Sequence, residues 1–325
     1  MTPKASGGVW RFNTVPSYQI TGILDRDQFN MGLSLNLERS SDEAVSAGRE
    51  DPTLSLGWRR AMPTGDFGIA MLHEEASLRV TEFADTGLVG DGTRSSSSLS
   101  ADWNSQLSDR LGVTLGTSYK DVSYQGGSNT DYATLAANAS LSRIWSDRIE
   151  TKLSLSSSRY VPDAGQSSTS LDTSFGLKLK LTERLDTDLR LGVNRTSGRS
   201  DNTGWTGGLA LNYVTSERSA ASFRLDRAVS DSGAGGFAES TQASGQLTYA
   251  ISNLLSASVD VSWRENRSIP NTSTLQAGAS LSRGLDDHWL LRMSYQYRYR
   301  EQDGGDEADA HLLSLTLNYS HPELF

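Results

Sequence analysis

Apolar and polar side chains alternate along this chain with a period of two. In the stretch from Leu313 to Ser320, Leu313, Leu315, Leu317 and Tyr319 are apolar, while Ser314, Thr316, Asn318 and Ser320 are small and polar. A strand sends alternate side chains to opposite faces, so this is a strand with one greasy face and one wet face. The pattern recurs along almost the whole chain. Trp289, Leu291, Met293, Tyr295, Tyr297 and Tyr299 oppose Arg292, Ser294, Gln296, Arg298 and Arg300. Leu255, Ala257, Val259, Val261 and Trp263 oppose Ser256, Ser258, Asp260, Ser262 and Arg264, and Phe175, Leu177, Leu179 and Leu181 oppose Ser174, Gly176, Lys178 and Lys180. A slip of one residue would exchange the faces of a whole strand, so the register is firmly specified.

Put in register, the periodicity predicts about sixteen strands, over residues 28–40, 52–61, 67–80, 94–106, 110–122, 132–145, 149–160, 168–181, 185–196, 203–214, 219–230, 239–250, 254–266, 273–283, 288–300 and 309–320. The connections fall into two classes. Tight turns such as Ser108-Asp109-Arg110, Ser146-Asp147-Arg148, Thr182-Glu183-Arg184 and Ser216-Glu217-Arg218 repeat a hydroxyl–acid–Arg pattern, and such residues form turns by bonding their own backbone. The other connections are longer and richer in Gly, among them Ser41 to Asp51, Ala84 to Gly92, Ser230 to Gly236 and Gln302 to Ala308. Short turns on one side and long loops on the other are the asymmetry of an outer-membrane β-barrel, the short ones periplasmic. The fold expected is therefore all-β: a single closed antiparallel transmembrane barrel of about sixteen strands, spanning residues 25–325, with both ends on the short-turn side. Residues 1–24 form a separate N-terminal segment, read as a plug, a periplasmic extension or an extra strand.

An apolar outside and a polar inside invert a soluble barrel, and a bilayer demands that inversion. Aromatics stand where strands end: Trp103, Trp145, Tyr213, Tyr249 and Trp289 near the short turns, and Tyr119, Trp205, Trp263, Tyr297 and Tyr299 near the long loops. Two such belts suit the two headgroup levels. Sixteen strands tilted by about 40° give a backbone diameter of roughly 32 Å, too wide for side chains to fill. The lumen must then hold water, a plug or inserted loops.

Composition changes this picture little. The chain has 325 residues, no cysteine and a net charge of -9. It has no apolar run of about 18 residues, which excludes a helical membrane protein but not a barrel. The absence of thiols suits an oxidising compartment, and the acidity argues against nucleic acid as a partner. No apolar leader follows Met1, so the expectation is a mature form whose signal peptide has been removed.

Candidate chemistry lies mainly on the wet face. The residues expected to line the pore are Arg59, Asp102, Lys120, Lys152, Lys178, Lys180, Asp188, Arg190, Arg224, Asp226, Asp260, Arg264, Arg292, Arg298 and Arg300. Bands of fixed charge set the selectivity of pores, although facing Arg and Asp also neutralise one another as a wall network. The histidines are His73, His288, His311 and His321; His73 stands beside Glu74 and His311 near Asp309. No Gly-x-Ser-x-Gly accompanies them, so they read as interfacial polar residues and no catalytic site is expected. No metal-ligand spacing occurs, no cofactor is expected, and the acidic stretch Gly304 to Asp309 reads as a solvated loop rather than a calcium site.

The periodic strands, the segments Phe83-Ala84-Asp85-Thr86-Gly87-Leu88-Val89 and Tyr119-Lys120-Asp121-Val122-Ser123-Tyr124, turns of the Leu181-Thr182-Glu183-Arg184-Leu185 type and the opening Trp10-Arg11-Phe12-Asn13-Thr14-Val15-Pro16-Ser17-Tyr18 carry a resemblance. The chain resembles the outer-membrane β-barrel porins found with exopolysaccharide secretion systems in Gram-negative bacteria. That resemblance implies an outer-membrane conduit tied to polysaccharide export, with no catalytic residues. It also implies partners: outer-membrane lipid and lipopolysaccharide, the barrel assembly machinery acting on a C-terminal strand ending in Phe325, and a periplasmic export component. The terminal assembly signal is kept at Phe325, Tyr319 and Leu317 and interrupted by His321, Pro322 and Glu323. Two further function classes stand beside the conduit: a barrel that anchors a surface polymer or partner without transport, and an outer-membrane hydrolase.

Overall fold

The computed structural model describes residues 8–42, 48–78, 81, 92–126, 129–198, 201–233, 235–267, 271–304 and 306–320. They form eighteen strands in one sheet. The strands are β1 (Arg11–Thr14), β2 (Ser17–Leu24), β3 (Asp27–Ser40), β4 (Arg49–Met62), β5 (Gly65–Ser77), β6 (Thr93–Ser108), β7 (Leu111–Gln125), β8 (Tyr132–Ser146), β9 (Ile149–Pro162), β10 (Ser168–Thr182), β11 (Leu185–Ser197), β12 (Asn202–Ser216), β13 (Ser219–Asp231), β14 (Phe237–Ala250), β15 (Leu255–Arg267), β16 (Thr272–Gly284), β17 (Trp289–Gln302) and β18 (Asp306–Tyr319). From β2 onward each strand pairs antiparallel with the next, an up-and-down meander.

Strands β3 to β18 answer one for one to the sixteen spans expected, most of them a few residues longer. The strand count is corrected at the N-terminus. Arg11 to Thr14 and Ser17 to Leu24 both pair with β3 in one unbroken register, Arg11 opposite Ser40 and Leu24 opposite Asp27. Pro16 offers no N–H and separates them, yet its carbonyl accepts from the Leu35 N–H at 3.1 Å. Eighteen strands thus fill seventeen positions in the sheet. Even-number reasoning leaves this strand out. A second correction follows. The sheet starts at Arg11 opposite Ser40, on the long-loop side, and not on the short-turn side. The first and last positions therefore run in the same direction. The strand order makes β18 and β2 neighbours, with no residue register joining them among the described residues.

The short turns share one construction. The N–H of Arg110, Arg148, Arg184 and Arg218 donates to the hydroxyl two residues earlier, on Ser108, Ser146, Thr182 and Ser216, at 3.2–3.4 Å. Each of these hydroxyl residues also sits at a one-residue shift of register. The repeated hydroxyl–acid–Arg sequence thus ends each hairpin in the same way.

Burial follows the two faces. Leu191, Trp205, Phe175 and Val259 lie on one face and are more than half exposed, at 69%, 58%, 52% and 52%. The aromatics expected at the two headgroup levels all stand on that face by register. The buried side chains Val122, Tyr132, Tyr160, Asn194, Asn266 and Thr272 lie on the other face towards the long-loop end. No helix among the described residues is long and apolar enough to cross a membrane, which says nothing about strands.

Candidate functional site on the polar face

Cross-strand partners point to the same face, so the ladder registers can be followed around the sheet. One row runs from Arg59 through Gly68, Asp102, Gly116, Asn138 and Ser156 to Asp172. A second joins Lys152, Gly176, Arg190, Gly208, Asp226, Gln242, Arg264, Thr274 and Arg300. A third joins Lys178, Asp188, Ala210, Arg224, Ser244, Ser262, Gln276 and Arg298. Lys180, Asp260 and Arg292 fall on the same face, an even number of residues along their strands from these rows, and Lys120 lies opposite Thr134 on it. The register places all fifteen expected pore residues on one face.

Towards the short turns the ion pairs on this face are wet. Arg59 meets Asp66 in a short contact and Asp102 at 3.4 Å, and Asn104 donates to both carboxylates at 3.2 Å. Arg190 meets Asp226 at 2.9 Å, with side chains 44% and 40% exposed. Along β14 to β17, amide oxygens hold the guanidinium groups: Arg264 donates to Gln242 at 2.6 Å and Arg298 to Gln296 at 2.9 Å. On the polar face β15 to β17 carry Arg264, Arg292, Arg298 and Arg300 against Asp260. In contrast, β3 to β6 carry Arg49, Arg59 and Arg94 against Glu38, Asp51, Asp66, Glu74 and Asp102. The face is therefore basic in one sector and acidic in another.

The other end is packed. After Asp231 the β13–β14 connection folds inward over β10 to β12 and docks on β7 to β9. Lys120 donates to Asp231 at 2.6 Å and the Tyr132 hydroxyl donates to the same oxygen at 2.8 Å. The Tyr160 hydroxyl donates to the Ser232 carbonyl at 3.3 Å, and the Thr130 N–H to the Gly233 carbonyl at 3.0 Å. The Tyr132 and Tyr160 rings stack at 4.6 Å, and Phe237 meets Tyr160 edge-on at 6.1 Å. Two glycines make this strap possible. A Cβ on Gly233 would stand 2.4 Å from the Tyr124 hydroxyl, and Gly236 has φ +94, a left-handed value that favours glycine. Beneath the strap Ser170 accepts from Asn194 at 2.8 Å and Asp172 from Thr206 at 2.8 Å.

Tyr132 and Asp231 lie beyond Tyr119 and Trp205 towards the loops, outside the lipid-facing span. Burial raises the Asp231 pKa. Lys120, by charge and hydrogen bond, and Tyr132 more than cancel that effect, leaving it below the usual carboxylate value. Burial first, then the charge of Asp231, pushes Tyr132 up. The pair is a carboxylate acceptor and a neutral phenol donor at neutral pH.

Sequence reasoning names Lys120 but not its partners. Asp231 is 111 positions away, and no periodicity signals the contact. One signal was available: Val122, Tyr124, Tyr132 and Tyr160 are bulky residues on a face otherwise given to Ser, Thr, Gly and charge. The long connection Ala84 to Gly92 lies, except for Gly92, outside the described residues, as do Phe325, His321, Pro322 and Glu323.

No family model matches the sequence, and no curated protein matches it. Solved structures do match in fold. The FrpB iron transporter from Neisseria meningitidis aligns with TM-score 0.56 and 8% identity, covering 90% of this chain and 61% of that one. The copper transporter OprC aligns at 0.57 and 11%, over 97% and 67%. The ferric-catecholate import receptor Fiu from E. coli K12 aligns at 0.52 and 8%, over 96% and 70%. This chain spans about three fifths of the length of FrpB. At such identities the likeness shows the fold alone. That fold is the outer-membrane β-barrel of Gram-negative bacteria, and with the exposed apolar face it locates the chain in the outer membrane.

Proposed function

We propose that the sheet closes into a water-filled outer-membrane conduit for hydrophilic solutes, narrowed on the long-loop side by the strap. One observation carries this reading: charge, hydroxyl and amide side chains line one face through every strand, while the other face is apolar and exposed. A bilayer accepts only the apolar face, which leaves the polar face to water. Seventeen positions make a ring slightly wider than the 32 Å expected for sixteen. The solved structures of this fold include iron and copper transporters, which supports transport in general. Among the described residues no group of three His, Asp or Glu side chains could hold a metal ion, so their metal cargo is not carried over. The solute class proposed is a hydrated polymer such as an exopolysaccharide. It rests on the sequence resemblance and on a lining of Ser, Thr, Gly, Asn and mixed charge.

Single-channel recording in a planar bilayer tests the reading. The whole protein should show discrete conductance steps, and a variant with residues 232–236 replaced by a short turn should show larger ones. Silence from both forms would overturn it. Such silence would favour the second reading, an anchoring barrel, for which the packed rim around Tyr132 and Tyr160 is the supporting observation.

A further inference from the structure

The outer face carries a constellation that the conduit does not use. The ladder of β5 and β6 sets His73 directly opposite Ser97 and Glu75 opposite Ser95. Glu74, the neighbour of His73 in sequence, falls on the polar face instead. On the outer face the Ser97 hydroxyl lies 2.8 Å from His73 Nδ1, and Glu75 Oε1 lies 3.9 Å from the other ring nitrogen. A hydroxyl, an imidazole and a carboxylate thus stand in series. The His73 and Glu75 side chains are 34% and 38% exposed, so the set is open to the outside of the sheet.

Its level in the wall is as informative as its geometry. One row towards the short turns, Met71, Leu99, Tyr119 and Leu135 face outward, 42–56% exposed. On β5, β6 and β7 the apolar band stops at that row. The His73–Ser97 row is the first polar one beyond it, at the height where lipid acyl chains give way to headgroups. The carboxylic ester joining an acyl chain to its headgroup lies at the same boundary.

We propose that Ser97, His73 and Glu75 form an outward-facing catalytic set that hydrolyses acyl esters of glycerophospholipids in the surrounding leaflet. Ser97 Oγ attacks the ester carbonyl carbon while His73 Nδ1 takes its proton. The acyl C–O bond then breaks, and His73 returns the proton to the departing lysolipid alcohol. Water, deprotonated by His73, attacks the acyl-Ser97 carbonyl; the acyl–Oγ bond breaks, His73 returns the proton to Ser97 Oγ, and the fatty acid leaves. Glu75 orients the ring and stabilises the imidazolium. Asp121, the cross-strand partner of Ser97 on β7, adds negative charge on the same row to the same effect. The hydroxyls of Ser95 and its partner Ser123 stand one row further out on this face as donors to the oxyanion. The acyl chain lies down the Met71–Leu99–Tyr119 surface.

The test uses the whole folded protein in phosphatidylethanolamine vesicles, with heat-modifiable gel migration checking the fold. A fluorophosphonate probe should label Ser97, identified by peptide mapping, and fatty acid should appear. S97A should abolish both. H73A should lower both by about 100-fold or more. E75Q should shift the pH profile of acyl release. H311A, which removes an outward imidazole lying 2.8 Å from the Tyr295 hydroxyl, should change nothing. Absence of labelling and of acyl release from the folded wild-type protein would overturn the proposal. So would labelling that persists in S97A. Neither outcome depends on whether the lumen conducts.

Discussion

The middle and the loop end of the polar face hold the same kind of ion pair in different surroundings. Arg190 and Asp226 meet at 2.9 Å with both side chains at least 40% exposed. Lys120 and Asp231 meet at 2.6 Å with 30% and 22% exposed, beneath a strap that also satisfies Tyr132 and Tyr160. Water screens the first pair, and such pairs contribute about 0–1 kcal/mol. The second is shielded by rings and backbone, and a hydrogen bond to a charged group there contributes about 1.5–3 kcal/mol. The lower region is a wall that tolerates change. The upper region is a joint, and a joint can control passage.

The largest effect should come from removing the strap. Replacing residues 232–236 by a short turn removes the acceptor of Tyr160 and of Thr130 together. Unitary conductance should rise several-fold, read in the same bilayer as the intact protein. An unchanged step size would mean that the upper region is no narrower than the lower one.

Acid should open the joint, and the position of the transition identifies its cause. Asp231 titrates below its ordinary value of 3.8 in the folded state. A depressed carboxylate stabilises the fold above its unfolded pKa, and that stabilisation is lost as pH falls through the lowered value. Conductance should therefore stay constant from neutral pH down to about 4 and rise only below it. In K120M burial acts with less opposition, so the opening should move to higher pH. A transition unaffected by K120M would assign it to another group.

Smaller still is the contrast in pairwise coupling. A double-mutant cycle on Lys120 and Asp231, read by denaturant unfolding, should give a larger coupling energy than one on Arg190 and Asp226, where roughly 0.2–1 kcal/mol is expected. Equal values would erase the distinction between wall and joint.

How much of this could be read from the sequence follows from the range of each interaction. Alternation is local, so β3 to β18 and the faces of Lys178, Asp260 and Arg292 could be read from a few neighbours. The Ser/Thr–acid–Arg turns could be read for the same reason, since each is closed by a hydroxyl two residues away. The N-terminal strand stayed one of three readings, beside a plug and a periplasmic extension, because an even count leaves it no place, and only its pairing with β3 decides between them. The bulky Val122, Tyr124, Tyr132 and Tyr160 on the polar face hint at the strap's docking site, but neither the strap itself nor the outer Ser97–His73–Glu75 set could be read. They need contacts 111 and 24 positions apart, and only a register fixed around the sheet brings those residues together. Glu74 shows the difference. Adjacency in sequence makes it the obvious partner of His73, yet a strand sends neighbours to opposite faces.

The weakest predicted effect concerns the sectors of the wall. On the polar face β15 to β17 are basic and β3 to β6 acidic, so the two sectors of that face differ in charge. Arg298 donates to Gln296 at 2.9 Å, which fixes its guanidinium on the polar face. R298E with R292E should shift the zero-current potential under a salt gradient towards cations. D102K in the acidic sector should shift it the other way, by less, because Asp102 shares Arg59 and Asn104 with Asp66. The strap variant provides the sharper form of the test. If the upper region is the narrowest passage, removing the strap should weaken the effects of R298E and D102K alike. Undiminished shifts would place selectivity along the wall instead.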